Sequence, residues 1–369
     1  MSRPTVAIAH DYLTQRGGAE RVVLTMMKAF PEATVYTTLY DPDGTYPEFA
    51  GANIVTSPLN RILLLRRDHR RALPLLAPAA SRIKVDADVT IVSSSGWAHG
   101  FDISGKSVVY CYSPARWLYD SERYLGGPTH KSLMGLGLMA MQTPLIRWDK
   151  RAARAADRYL AISRVVRERI RATYGIEPEI VPAPHSMDAS AAQEPIDELE
   201  DWQGGYALVV SRLLPYKNVD AAIESARHSG HRLVIIGRGP EEARLRALIP
   251  ANVRMFSGLT DAQMRWAYAH ARVLVAPSHE DFGLTPLEAA AFGVPTIALR
   301  GGGYLDTIVE HETGLFFDHP EPEAITAVLD RADLHPWNPD VLRARAEEFG
   351  EARFIERIRA IVDAEGMVG

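Results

Sequence analysis

Short apolar runs, each followed by a longer stretch with helical spacing, recur along the chain, and few folds accommodate that pattern. Val6-Ala7-Ile8-Ala9, Val35-Tyr36-Thr37-Thr38-Leu39, Val89-Thr90-Ile91-Val92, Val108-Val109-Tyr110-Cys111 and Arg158-Tyr159-Leu160-Ala161 are the first set. Strands buried on both faces need runs of this kind, and helices between them make the sheet parallel. The reading is a doubly wound α/β unit closed by Ile180-Val181-Pro182-Ala183-Pro184.

The pattern then breaks and restarts. Residues Ser186 to Gly205 are small, acidic and turn-prone, as a linker with flanking loops would be. Beyond them come Tyr206 to Val210, Arg232 to Ile236, Val253 to Phe256, Val273 to Ala276 and Thr296 to Leu299. A length of 369 residues also exceeds what one core usually holds. The expected organisation is domain 1–185, linker 186–204 and domain 205–350, followed by a C-terminal segment 351–369. Two such domains facing each other would leave a cleft beyond the carboxyl ends of their strands.

Composition narrows the class. One cysteine, Cys111, excludes an internal disulfide framework and suits a reducing cytosol. No signal-peptide pattern precedes the first strand, and the longest apolar run, Leu133 to Ile146, falls short of the roughly 20 residues a bilayer span needs. The expectation is a cytoplasmic chain. The net charge of −5 conceals an asymmetry, +7 through His185 and −12 beyond it. The positive half suits an anionic surface or acceptor. Within it Arg66, Arg67, Arg70 and Arg71 follow Ile62-Leu63-Leu64-Leu65, either a peripheral contact with the inner face of a membrane or an ordinary helix with a buried leucine face. An acidic chain without a recognised module is not expected to bind nucleic acid.

The densest chemistry follows the strand ending at Ala276, in Glu280-Asp281-Phe282-Gly283-Leu284-Thr285-Pro286-Leu287-Glu288. Thr285, Pro286 and Glu288 spell a helix start with Thr at the N-cap and a capping-box Glu. A helix N-terminus offers free N–H groups and a positive dipole to a diphosphate, and Gly283 allows close approach. Glu280 and Glu288 flank that anion site, where carboxylates can accept from sugar hydroxyls. Taken alone, the window also fits a helix that merely caps itself. Arg212 and Lys217, in Ser211-Arg212-Leu213-Leu214-Pro215-Tyr216-Lys217, can neutralise a leaving diphosphate. Gly17 and Gly18, after His10-Asp11, and Gly237-Arg238-Gly239 are further strand-to-helix turns, neither of them a dinucleotide fingerprint.

Together these segments resemble family 4 of the retaining glycosyltransferases, whose signature of two glutamates with seven residues between them is matched by Glu280 and Glu288. Ser211 to Lys217, the Gly17-Gly18 turn, Leu160-Ala161-Ile162-Ser163 and Gly301-Gly302-Gly303 match as well. The resemblance implies a GT-B fold, two Rossmann-like domains facing across a cleft. It is nearest to bacterial mannosyltransferase-like members, which implies a nucleotide-sugar donor, GDP-mannose first, and a glycan, lipid-linked or small-molecule acceptor. Glu280 would then bind the transferred sugar and Glu288 the ribose. Backbone N–H groups of Phe282, Gly283, Leu284 and Thr285 would meet the diphosphate or sugar, with Gly237 and Arg238 as a wall of the donor site. Arg212 and Lys217 would stabilise the leaving group. Gly17 or Gly18 would approach the diphosphate, with Asp11 and Arg116 on the acceptor side, and 351–364 would form a helix crossing back to the first domain. Its Phe354, Ile358, Ile361 and Val362 fit one helical face.

One position departs from the family. In Val109-Tyr110-Cys111-Tyr112-Ser113-Pro114, Tyr112 stands where the family has a histidine, so no imidazole acts there, and His99 is a candidate substitute. No cofactor or metal is expected: the Asp-x-Asp at Asp86-Ala87-Asp88 precedes a strand instead of following it. The rivals are an epimerase or phosphorylase of the same architecture and a nucleotide-sugar-binding protein with weak turnover.

Overall fold

Apolar runs pair into two parallel sheets. The structure, a computed structural model, describes residues 4–119, 133–202 and 205–367, with the backbone alone at Arg70, Pro74 and 133–140. In the first part lie β1 (Val6–His10), α1 (Gly18–Ala29), β2 (Thr34–Thr37), β3 (Ile54–Thr56), α2 (Leu63–Arg67) and β4 (Val89–Ser94). They are followed by β5 (Lys106–Cys111), α3 (Leu133–Ala155), β6 (Arg158–Ala161), α4 (Arg164–Tyr174) and β7 (Glu179–Ile180). The strand order is β3-β2-β1-β4-β5-β6-β7, all parallel. Every residue of β4 is buried, as a central strand with helices on both faces requires.

The second part carries β8 (Tyr206–Val210), α5 (Val219–Ser229), β9 (Leu233–Ile236), β10 (Val253–Phe256), β11 (Ala271–Ala276), α6 (Leu284–Ala291), β12 (Thr296–Leu299) and β13 (Gly314–Phe317). Its order is β10-β9-β8-β11-β12-β13, again parallel. In each sheet the first strand is flanked by the next strand on one side and by a later strand on the other. The order therefore reverses between β1 and β4, and between β8 and β11. These are topological switch points, where a crevice opens beyond the strand ends.

The chain divides into two compact units, Met1–Ala183 with Glu351–Gly369, and Pro184–Gly350. The last helix, α7 (Glu351–Gly366), belongs to the first unit and buries Phe354, Ile358, Ile361 and Val362. Burial is worth about 1.5–3 kcal/mol for each such side chain. Its Glu351 ties it to α1, accepting from Thr25 Oγ1 at 2.9 Å and Lys28 Nζ at 2.6 Å. Residues 186–202 are not a free linker: Ile196, Leu199 and Trp202 are buried in the second unit's core beside Tyr206 and Leu208. Acidic surface positions hid that apolar spacing. Two short strands, β3 and β13, were also not apparent in the sequence, the first because it is a half-exposed edge.

Candidate functional site

The carboxyl ends of β8 and β11 converge at the second switch point. From β8 the chain runs through Ser211 to a 3-10 turn, Pro215–Lys217, that ends at Asn218 with φ 52°. Asn218 Nδ2 donates to Pro277 O at 2.8 Å, locking this turn to the β11 exit. The lock brings Lys217, only 7% exposed, into an ion pair with Glu280. Ser278 Oγ donates to the same carboxylate oxygen of Glu280 at 2.8 Å. Arg212 is exposed, two residues beyond the end of β8.

Helix α6 starts two residues earlier than the capping pattern suggested. Its N-cap is Gly283, at φ 90° and without a side-chain cap, so Thr285 lies inside the first turn. Glycine is required here, because a Cβ would stand 2.5 Å from the Tyr304 ring. Glu288 makes no capping box. It is half-buried and accepts from the Tyr268 hydroxyl at 2.7 Å. The carboxylate raises the Tyr268 pKa, secondary to burial of the ring. First-turn N–H groups of α6 have no intrahelical acceptor, so the end of this helix presents donors and positive potential beside Lys217 and Glu280.

Glycines set the walls. A Cβ at Gly237 would meet Ser211 O at 1.9 Å and one at Gly239 would meet Leu213 O at 2.2 Å, so the β9 exit lies flush against the β8 exit. Arg238 is exposed there and lies against Gly258. Gly302 and Gly303 pack directly on the Glu280 to Phe282 backbone, with Gly303 N donating to Glu280 O at 2.8 Å. Phe282 is buried and fixes the loop from below. The structure brings Lys217, Glu280 and Ser278 together beside the Phe282 to Thr285 backbone, with Tyr304 against Gly283; Glu288 lies one turn into α6 on Tyr268, and Arg212 is exposed at the β8 exit. A buried serine or tyrosine near a motif has no sequence signature, although the glycine run 301–303 was a visible sign of close packing.

Two family descriptions match. Residues 16–190 match the model for "Glycosyltransferase Family 4", and 194–349 match that for "Glycosyl transferases group 1". The chain belongs to the family 4 glycosyltransferases. A GDP-mannose-dependent alpha-mannosyltransferase of Mycobacterium tuberculosis is 33% identical over 62% of this chain and 65% of its own length. A glycogen synthase of Pseudomonas syringae is 36% identical over 40% of this chain, which spans only 33% of that relative. Among solved structures, a sucrose-phosphate synthase from Thermosynechococcus elongatus superimposes with a TM-score of 0.74 at 15% identity, over 99% of this chain and 100% of that one. Anabaena HepE, solved in complex with UDP, gives 0.70 at 12% identity over 98% and 100%. The fold is GT-B.

In this family 4 chain the first unit has its own polar centre at the β1/β4 switch point. Gly17 is the N-cap of α1 and Gly18 its first residue. Asp11, expected on the acceptor side, organises the loop that follows β4. Its carboxylate takes Ser94 Oγ at 2.9 Å and the N–H groups of Ser95, Trp97 and Ala98 at 2.6, 3.1 and 2.7 Å. His99, the candidate substitute imidazole, is packed into the core of the first unit. It is buried against Trp148 and Tyr174, with Nε2 3.0 Å from Asp149 Oδ1, though poorly aligned for a hydrogen bond, and Nδ1 3.3 Å from Ser94 Oγ. Arg116 is exposed at the start of a short helix. Tyr112 is half-buried, and its hydroxyl lies 2.9 Å from Ser93 Oγ and donates to Ala19 O at 3.2 Å. Burial pushes its pKa far up, so it remains a neutral phenol. The carboxylates of Asp86-Ala87-Asp88 are used structurally: Asp88 accepts from Thr5 N and Oγ1, Asp86 from Ser104.

Proposed function

We propose that this chain is a retaining, metal-independent hexosyltransferase that uses a nucleotide diphosphate sugar, GDP-mannose first. The observation that carries it is the Lys217–Glu280 pair across the β8/β11 switch point, set beside the N-terminus of α6. An ion pair can open to offer both halves to one ligand: the ammonium to a diphosphate, the carboxylate to the hydroxyls of the attached sugar. Arg212 adds a second cation and α6 its N–H groups, so negative charge developing on the leaving diphosphate meets fixed donors. Glu288, held by Tyr268, is placed for a ribose. Arg238 and Gly237 wall the nucleotide.

In the reaction the bond from the anomeric carbon to the diphosphate oxygen breaks as the acceptor hydroxyl attacks from the same face. The departing oxygen takes the acceptor proton. Glu280 positions sugar and does not attack it. Mannose and GDP are supported by the mycobacterial relative, whose name carries that donor. The acceptor is a glycan, a lipid-linked sugar or a small molecule.

We place the enzyme in the cytoplasm, in peripheral contact with anionic lipid. Supporting this, Ile62, Leu63 and Leu64 on and beside α2 are 49%, 47% and 56% exposed, and only Leu65 turns into the core. Arg66, Arg67 and Arg71 lie beside them; the side chain of Arg70 is outside the described residues. Among the described residues no helix is long and apolar enough to cross a membrane.

The test is a thermal-shift panel of GDP, UDP, ADP and their sugars, followed by transfer assays with EDTA. Selective stabilisation by one nucleotide, and transfer that survives EDTA, are expected. Stabilisation by none removes the donor site, and rescue of an EDTA-treated enzyme by Mg²⁺ or Mn²⁺ removes metal independence.

A further inference from the structure

The switch point of the first unit holds an arrangement that none of the roles above explains. His10 ends β1 and is the Cα partner of Ser93 on β4. Its Nδ1 lies 3.1 Å from Ser93 O and 2.9 Å from Ser93 Oγ. A carbonyl only accepts, so Nδ1 carries the proton. Tyr112 donates to Ala19 O, and that fixes the next link: Ser93 Oγ–H donates to the Tyr112 oxygen. The result is a one-way chain of donors from His10 through Ser93 and Tyr112 to the first turn of α1. Such chains polarise each member in turn.

Behind the chain stands Glu20, 1% exposed, with Oε1 3.8 Å from His10 Nε2 and accepting from Gln15 Nε2 at 3.1 Å. Its other oxygen, Oε2, is buried without a hydrogen-bond partner. That oxygen lies 2.6 Å from where a Cβ of Gly17 would be, directly against the N-cap of α1. Burying a carboxylate and an imidazole is costly, and leaving one oxygen unpartnered costs more. An arrangement of this kind at the crevice of a parallel sheet and at a helix N-terminus is placed for a ligand. Tyr112 is the only half-buried member of the chain; His10, Glu20 and Ser93 are fully covered.

We propose that Glu20, His10 and Ser93 are positioning residues that hold the Tyr112 hydroxyl and the Gly17-Gly18 turn in register for a sugar-bearing ligand. The pair supplies charge and the serine transmits orientation. Tyr112 is the member that meets the ligand. The rate readout of this inference rests on the glycosyltransferase reading; its structural readout does not.

The experiment uses the full chain in the variants Tyr112→Phe, His10→Gln, Ser93→Ala, Glu20→Gln and the double variant His10→Gln/Tyr112→Phe. With GDP-mannose as donor probe, each single change is expected to lower kcat about tenfold, as for one lost oriented hydrogen bond, while KM for the donor changes little. The double variant should lose no more than the worse single one. In parallel, ¹⁵N-histidine NMR follows the His10 ring in wild type, Tyr112→Phe and Glu20→Gln. Both variants are expected to shift its Nδ1 resonance, and Glu20→Gln to lower its pKa. A His10 signal unmoved by Tyr112→Phe overturns the relay whether or not the protein turns over any sugar. Additive losses in the double variant overturn it too. If the wild type binds no nucleotide sugar while the His10 shifts are seen, the relay stands and the donor reading falls.

Discussion

Lys217 and Arg212 differ in what surrounds them, and so should their variants. Lys217 is nearly covered and already paired with Glu280, so Lys217→Ala removes the diphosphate partner and also leaves Glu280 to Ser278 alone. Arg212 is exposed, so its loss should leave folding intact. Both changes should lower kcat by at least ~100-fold, the usual cost of a lost electrostatic stabiliser. Steady-state rates near wild type would take either residue out of the mechanism. Glu288 needs a different comparison. Glu288→Ala strands the buried Tyr268 hydroxyl, which should cost about 1–3 kcal/mol in urea unfolding, whereas Glu288→Gln keeps an acceptor. Equal stability of the two variants would show that the tyrosine bond contributes nothing. The Glu280 and Glu288 pair was readable from spacing. Their partners were not, since Lys217 lies 63 residues from Glu280 and Tyr268 sits in another helix.

At the scale of elements, each sheet joins its strands across the switch point by a polar contact: His10 to Ser93 between β1 and β4, Lys217 to Glu280 between β8 and β11. The first should leave a mark on stability. Burial alone would depress the His10 pKa, but Glu20, Asp11 and the Ser93 carbonyl outweigh it and the value is raised above 6.5. A raised histidine stabilises fully below about 6.5, its unfolded value, and loses that contribution as pH rises through the folded value. Unfolding free energy should therefore fall as pH rises above about 6.5, and His10→Gln should flatten that part of the curve; a slope identical in both proteins would contradict the assignment. The strands that carry these groups were legible because central parallel strands are apolar throughout. The edge strand Ile54–Thr56 was not, because its exposed side need not be apolar. The start of α6 was misread for a local reason. Thr285, Pro286 and Glu288 satisfy the capping pattern, yet contact of Gly283 with Tyr304 sets the turn two residues earlier. The linker was misread because three buried side chains, Ile196, Leu199 and Trp202, decide where 186–202 belongs and the acids around them do not.

For the whole molecule, the open question is which force would hold it to a membrane. The basic segment suggests electrostatics, with roughly 1 kcal/mol per Lys or Arg near an anionic surface. Two of the arginines are already engaged: Arg66 Nε lies 3.7 Å from Asp41 and Arg71 Nε 3.0 Å from Asp68. The apolar side chains are not engaged in this way. Ile62, Leu63 and Leu64 stand about half exposed, and full burial of such a side chain gains about 1.5–3 kcal/mol. Half of that for each of three residues exceeds what the arginines can add after their acidic partners are discounted. Sedimentation with vesicles containing phosphatidylserine should then weaken more in Leu63→Asn/Leu64→Asn than in Arg66→Glu/Arg67→Glu. Raising salt to 0.5 M, where the Debye length is only a few Å, should reduce wild-type binding without abolishing it. Complete loss in high salt, with the asparagine variant unaffected, would make the contact electrostatic and remove the leucines from it. No sedimentation of the wild type at any salt would remove the membrane from the function altogether.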